Sequence, residues 1–166
     1  NMEQFNMSEY KVKHIKVGKG KGITTYYSNK FKHVCDEVNQ NFQITKFESK
    51  NIISINVYRS AKGNVDEIIS TIKNMQDHEK ANIVTGDMNI CARKHRNSQL
   101  ISSMLDEKYI LMTKTATHIK GGHIDHAYAK NAKTKVHLYS PYYSDHDALC
   151  VSVEQALVSG EWKEPE

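Results

Sequence analysis

Along residues 10–17 polar and apolar side chains alternate through Val12, His14, Ile15 and Val17, the period of an exposed strand. Gly18-Lys19-Gly20-Lys21-Gly22 then signals a turn, and the β-rich run 23–28 reads as the next strand. Residues 31–38 and 42–47 predict a further antiparallel pair. Residues 52–58 are almost continuously apolar, the mark of a strand covered on both faces. The period then changes. Val65, Ile68, Ile69, Ile72 and Met75 fall on one face of an amphipathic helix, with Asn64 as its N-cap and Glu67 three residues on. A short buried strand follows at 82–85 and ends at Gly86. A second helix spans 98–105, with Leu100, Ile101, Met104 and Leu105 on its apolar face. Strands at 124–128, 135–139 and 148–153 close the pattern, and residues 160–166 show no periodicity. Strand, helix, strand, helix and closing strands predict an α/β (α+β) domain on a mixed sheet.

Composition changes this picture little. The 166 residues suit one domain, 39% are hydrophobic and 25% charged, and only two are proline. The longest apolar stretches, such as 52–57, fall far short of the ~20 residues a membrane-spanning helix needs. With no signal-like opening, an intracellular protein, nuclear or cytoplasmic, is expected, without membrane contact. A net charge of +4 permits a polyanionic partner without demanding one. Lys11, Lys13, Lys16, Lys19, Lys21, Lys30 and Lys32 cluster near the N-terminus, as a solvated hairpin face would also arrange them. Cys35, Cys91 and Cys150 are widely spaced and form no CxxC pair, so they read as buried thiols of a reducing compartment, with Cys150 in a core strand.

Candidate chemistry concentrates where strands end, the place α/β folds keep their sites. Thr85-Gly86-Asp87-Met88-Asn89 runs a buried strand into an acid able to bind a metal or accept a proton, and an amide able to donate to an oxyanion. Gly121-Gly122-His123-Ile124-Asp125-His126 sets an acid among apolar neighbours, where burial demands a partner, naturally a histidine. His123 and His126 invite a zinc reading, but the spacing lacks a third ligand of matching geometry. In Ser144-Asp145-His146-Asp147, Asp145 suits a divalent metal and His146 suits a phosphate or acid catalysis. Tyr58 and Arg59, at the end of the most apolar strand, suit phosphate oxygens. Each segment taken singly is also an ordinary polar turn.

In series the motifs say more. Strand-Tyr, helix, strand-GDMN, helix, strand-IDH, strand and SDH-strand resemble, over about residues 10–154, the DNase I-like endonuclease/exonuclease/phosphatase superfamily. Within it they look most like the apurinic/apyrimidinic endonuclease and transposable-element endonuclease branch, which Thr117-His118 ahead of Gly121-Gly122 also favours. The resemblance implies a four-layer β-sandwich flanked by helices. It implies that Asp87 activates or aligns the attacking water, Asn89 holds the scissile phosphate and Tyr58 contacts it. Asp125 would fix the tautomer of His146, His146 would neutralise the phosphate, and Asp145 would help bind Mg²⁺ or Mn²⁺.

The family also uses an asparagine ending its first strand and a glutamate, its principal metal ligand, ending its second. Neither motif is present, and by pattern Asn1 falls a few residues after the glutamate's place. Glu3 lacks a preceding strand that could place it. The proline that often follows the strand-end tyrosine is replaced by Arg59-Ser60. Residues 1–158 are therefore expected to be the C-terminal two-thirds of such a domain, lacking its first strands, and 159–166 a polar tail. The expected function is a metal-dependent phosphodiesterase acting on nucleic acid, DNA above all, as a nicking endonuclease of a retrotransposon or Helitron-like element. This fragment alone is expected to be weak or inactive. The alternatives are an inactive remnant or nucleic-acid-binding domain, and a small-molecule or lipid phosphatase of the same superfamily.

Overall fold

The computed structural model describes residues 9–16 and 22–156. Residues 18–21 of the expected turn, Glu3 and the polar tail at 159–166 lie outside the described residues. Ten strands and two helices are described, in the order β1 (Tyr10–Lys16), β2 (Gly22–Ser28), β3 (Lys32–Val38), β4 (Phe42–Glu48), β5 (Ile52–Arg59), α1 (Val65–Met75), β6 (Ala81–Asp87), α2 (Gln99–Asp106), β7 (Ile110–Leu111), β8 (Asp125–Lys130), β9 (Ala132–Tyr139) and β10 (Ala148–Ala156). A six-stranded mixed sheet runs β3-β4-β5-β6-β8-β7, in which only β5 and β6 are parallel. Two antiparallel ribbons, β1-β2 and β9-β10, stand beside it.

The helices form where the 3.6-residue period predicted them. Asn64 caps α1, its side chain accepting the Asp66 and Glu67 amides, and Ser98 caps α2 through Ile101 N–H. Ile68, Ile69, Ile72 and Met75 of α1, with Leu100 and Met104 of α2, pack on one face of the sheet against Ile44, Ile55, Val57, Val84 and Tyr128. Each buried Ile or Leu contributes roughly 1.5–3 kcal/mol. The opposite face carries a row set by the strand register: Gln43 on β4 faces Tyr58 on β5, Tyr58 faces Asp87 on β6, and Asp87 faces Asp125 on β8. Paired residues share a face, so this row is polar and runs along the strand ends.

Several expectations need correction. β5 is not covered on both faces: Ile53, Ile55, Val57 and Arg59 are buried, while the intervening residues are only half-buried. The sequence reads as continuous because Ile52 and Tyr58 occupy the half-covered side. Leu105 is 49% exposed, at the outer edge of the α2 stripe. The two-residue β7 is too short to carry a period. None of the cysteines is buried: Cys35 and Cys91 are partly exposed and Cys150 is exposed. In the two-stranded β9-β10 ribbon Leu149, Val151 and Val153 are half-buried, whereas Cys150 pairs with exposed His137 on the open side. Of the N-terminal lysines, Lys13 joins its hairpin to β3 through Asp36 at 2.9 Å. Among the described residues no helix is long and apolar enough to cross a membrane.

Candidate active site

Three separate parts of the chain bring their acids and histidine together. Asp87 ends β6, Asp125 opens β8 opposite it, and His146 comes from the loop between β9 and β10. Their ligand atoms lie within 4.8 Å of one another. His146 Nδ1 donates to Asp125 Oδ2 at 2.8 Å, which leaves Nε2 free to face a ligand. A second group, His118, Asp145 and His146, is equally close. His118 Nε2 lies 3.3 Å from Asp145 Oδ2, and the two imidazoles meet edge to face at 4.7 Å. Asp145 is well exposed, with 66% of its side chain open to solvent.

Main-chain hydrogen bonds hold this arrangement. Thr117, fully buried, accepts the amides of Ile124 and Asp125 on its hydroxyl, which fixes the start of β8. Ile119 N–H donates to the Asp145 carbonyl and Asp147 N–H to the Thr117 carbonyl, so the His118 and His146 loops are joined at both ends. The loop after β6 is tied to the β8 segment by Met88 N–H to the Ile124 carbonyl and Ala92 N–H to the His123 carbonyl. His126 adds a third tie, donating from Nε2 to the Ile90 carbonyl and accepting Tyr128 OH on Nδ1. Burial pushes the His126 pKa down to about 4, so it is a neutral packing residue. His123 is likewise buried and bonded to the Thr113 hydroxyl, and this pair does not belong to either candidate metal group.

Arg59 is the clearest departure from expectation. Its guanidinium is engaged by main-chain carbonyls. It is buried and donates to the carbonyls of Gly63, Met88 and Ala61, tying the β5 end to the loop after β6. An arginine at a strand end reads the same in sequence whether it does this or meets a phosphate. Asn89 has a left-handed backbone, φ 49°, and its Nδ2 donates to the Arg59 carbonyl at 2.6 Å; its backbone amide donates to Asp87 Oδ1. Asn89 is exposed beside Asp87, and one of its amide hydrogens is free to reach a ligand. Tyr58 is half-buried next to Asp87 in the polar row.

The electrostatics set two groups against each other. Burial raises the Asp87 carboxyl pKa, and nearby Asp125 adds to the rise against the opposing pull of His146 and His118. For His146, burial alone would favour the neutral ring. The hydrogen bond and charge of Asp125 outweigh it, helped by Asp87 and Asp145, and the net pKa is raised. The donor set of aspartates with an imidazole suits a hard divalent cation that keeps several waters, as Mg²⁺ and Mn²⁺ do. Among the described residues no glutamate joins either group.

No protein-family model and no curated protein sequence matches the chain. Solved structures do. The endonuclease domain of TRAS1, a telomere-specific non-LTR retrotransposon, superposes with a TM-score of 0.66 at 11% identity, over 87% of this chain and 78% of that one. CdtB, the biologically active subunit of cytolethal distending toxin, gives 0.57 at 14% identity, over 85% of this chain and 66% of that one. The cytolethal distending toxin of Haemophilus ducreyi gives 0.53 at 14% identity, over 83% and 71%. The fold is DNase I-like. At these identities the likeness concerns the DNase I-like fold and not the chemistry, which rests on the side chains of this chain.

The residue that the motif reading left without a role is His118. In the DNase I-like frame it stands over His146 from a loop whose approach depends on the Ile119–Asp145 and Thr117–Asp147 bonds, contacts no local pattern encodes. Its Nδ1 accepts the Lys120 amide at 3.1 Å, so the neutral ring carries its proton on Nε2, the atom nearest Asp145. His118 is therefore set to donate a hydrogen bond.

The Asp125–His146 pair gives a direct test of this geometry. Asp125→Asn should lower the His146 pKa, read by NMR titration of the ring protons. The sign follows from linkage: a histidine whose folded pKa is raised stabilises the fold below its unfolded value near 6.5, and that stabilisation is lost as pH rises through the folded pKa. The variant should therefore lose stability at mildly acidic pH and little at alkaline pH. An unchanged His146 titration in the variant would mean that the contact carries no charge coupling.

Proposed function

We propose that this chain is a divalent-metal-dependent phosphodiesterase acting on nucleic acid, and that its reaction is the nicking of DNA. The observation that carries the reading is the convergence of Asp87, Asp125 and His146 from three chain segments, with Asp125 locked onto His146 at 2.8 Å. A phosphodiester needs charge neutralised on its non-bridging oxygens, an aligned water and a stabilised leaving oxygen.

In this reading His146, kept protonated by Asp125, donates from Nε2 to a non-bridging oxygen of the scissile phosphate. His118 Nε2 and the free amide hydrogen of Asn89 supply further donors. Asp87, whose carboxyl titrates above the ordinary carboxylate range, aligns the attacking water and draws off its proton. Tyr58 borders the phosphate from β5. Asp145 would help hold Mg²⁺ or Mn²⁺, which would supply Lewis-acid neutralisation of the phosphate when bound. We further propose that it serves a retrotransposon or Helitron-like element, and that residues 1–158 form one domain built as a four-layer sandwich. The retrotransposon endonuclease among the structural neighbours supports the first of these.

The test is conversion of supercoiled plasmid to relaxed circle by the full chain in excess over DNA, with Mg²⁺ or Mn²⁺ and with EDTA. Slow nicking that requires the metal and is lost in Asp87→Asn is expected. No relaxed circle with either metal would reject the reading.

A further inference from the structure

Beside the candidate site, on the Asn89 side, an open cleft of about 920 Å³ runs from Asn89 to Ser98. Its wall is the segment between β6 and α2, where Arg93, Lys94, His95 and Arg96 are consecutive and exposed. Folding usually pairs such a run of cations or lets it wave in solvent. Neither holds here. Lys94 N–H and His95 N–H both donate to the Cys91 carbonyl, and Ser98 N–H donates to the His95 carbonyl, so the backbone is a closed turn. Among the described residues none of the three permanent cations has a carboxylate partner.

Two further features bear on the cleft. The cleft ends at Ser98, the N-cap of α2, whose own first turn contains no acid, while Asp66 of α1 accepts the Gln99 side chain beside it at 2.6 Å. The turn is also fixed to the catalytic loop, since Ala92 N–H is bonded to the His123 carbonyl. The backbone that carries the cations is therefore tied to the segment that leads into Asp125. The loop that carries Asp145 is different in character: Asp145, Tyr142 and Tyr143 are all exposed there.

We infer that the Asn89–Ser98 cleft binds the phosphate backbone of a DNA strand on one side of the scissile bond, through Arg93, Lys94 and Arg96. This deepens the phosphodiesterase reading and rests on it for the orientation of the strand. A single phosphoester would occupy the Asp87–His146 site and leave the cleft empty. A polymer threads both, and only a polymer gains from cations placed beyond the reacting group. Backbone contacts of this kind position the strand without reading its sequence. Each phosphate they neutralise releases counterions, so the contacts appear in the salt dependence of binding.

The test is fluorescence anisotropy of a short labelled duplex against the full chain, titrated over a range of KCl in EDTA so that no strand is cut. In the triple variant Arg93→Ala/Lys94→Ala/Arg96→Ala the slope of log affinity against log salt should become shallower by about 2–3. Affinity at low salt should fall on the order of 10- to 100-fold. The double variant Arg93→Lys/Arg96→Lys keeps the charge and should keep the slope, which separates charge from damage to the turn. An unchanged slope in the triple variant, or a wild-type chain that binds no duplex, overturns the inference. The two readings fail separately: a chain that binds with the expected slope loss and never nicks keeps the cleft and loses the phosphodiesterase, and the reverse result does the opposite.

Discussion

His146→Ala should reduce metal-dependent nicking by roughly 10²- to 10³-fold, the usual consequence of removing one donor from a developing phosphate charge. The expectation rests on the proposed phosphodiesterase activity and on two features of the ring. Asp125 holds Nδ1 and leaves Nε2 toward the ligand, and the surrounding carboxylates raise the pKa, so the charged form persists at higher pH than an isolated imidazole allows. The pH profile should share this logic. Asp87 must be ionised and His146 protonated, so the rate should be bell-shaped, with both limbs displaced upward from ordinary carboxylate and imidazole values. The measurement is the single-turnover nicking rate across pH for wild type, Asp125→Asn and His146→Ala. Removing Asp125 should pull in the alkaline limb. An alkaline limb that stays put in Asp125→Asn, or nicking by His146→Ala at the wild-type rate, would remove the histidine from the mechanism.

The second large effect concerns the backbone beneath Asp87. Gly86 has φ 149°, and a Cβ built there would lie 1.7 Å from the Val57 carbonyl oxygen of the neighbouring strand. No side-chain adjustment relieves a clash with backbone, so β5 and β6 would have to part where Val57 and Gly86 pair, one step before Tyr58 and Asp87. Gly86→Ala should destabilise the fold by more than about 4 kcal/mol, a large share of the stability a domain of this size has. Gly121 offers the comparison. It also has a positive φ, 77°, but nothing lies within 4 Å of its would-be Cβ, so Gly121→Ala should cost only the backbone strain of about 1 kcal/mol. Urea unfolding of the two variants decides the matter, and equal midpoints would show that the close approach at Gly86 is not what holds the strands.

Much of the fold was legible because its signals are local. The 3.6-residue spacing of Val65 to Met75 and the cap at Asn64 need no knowledge of the rest of the chain. The acids at 87 and 125 and the histidine at 146 stand out because each adjoins an apolar run, and strand ends are where a sheet delivers polar groups. What stayed hidden depends on distant partners. Arg59 is read as a phosphate ligand until the carbonyls of Gly63 and Met88 are seen around it. Cys150 has core-like neighbours in sequence, yet its strand belongs to a two-stranded ribbon with one open side. His118 enters the site only because two loops pair, and the cations at 93–96 acquire meaning only from the cleft they line.

The pairing of those two loops has a consequence for how this site can change over generations. Thr117 and Asp147, and Ile119 and Asp145, are bonded through their backbones, so the His118 and His146 loops shift as one body. A substitution that moves either loop is felt by residues of both, and its effect depends on which residue already occupies the other. Variants at 118, 145 and 146 should therefore be strongly epistatic, tolerated in combinations and not one by one. Inherited change at this corner of the protein should come in matched sets, and a loop transplanted alone from a relative would arrive without the counterpart that gives it shape.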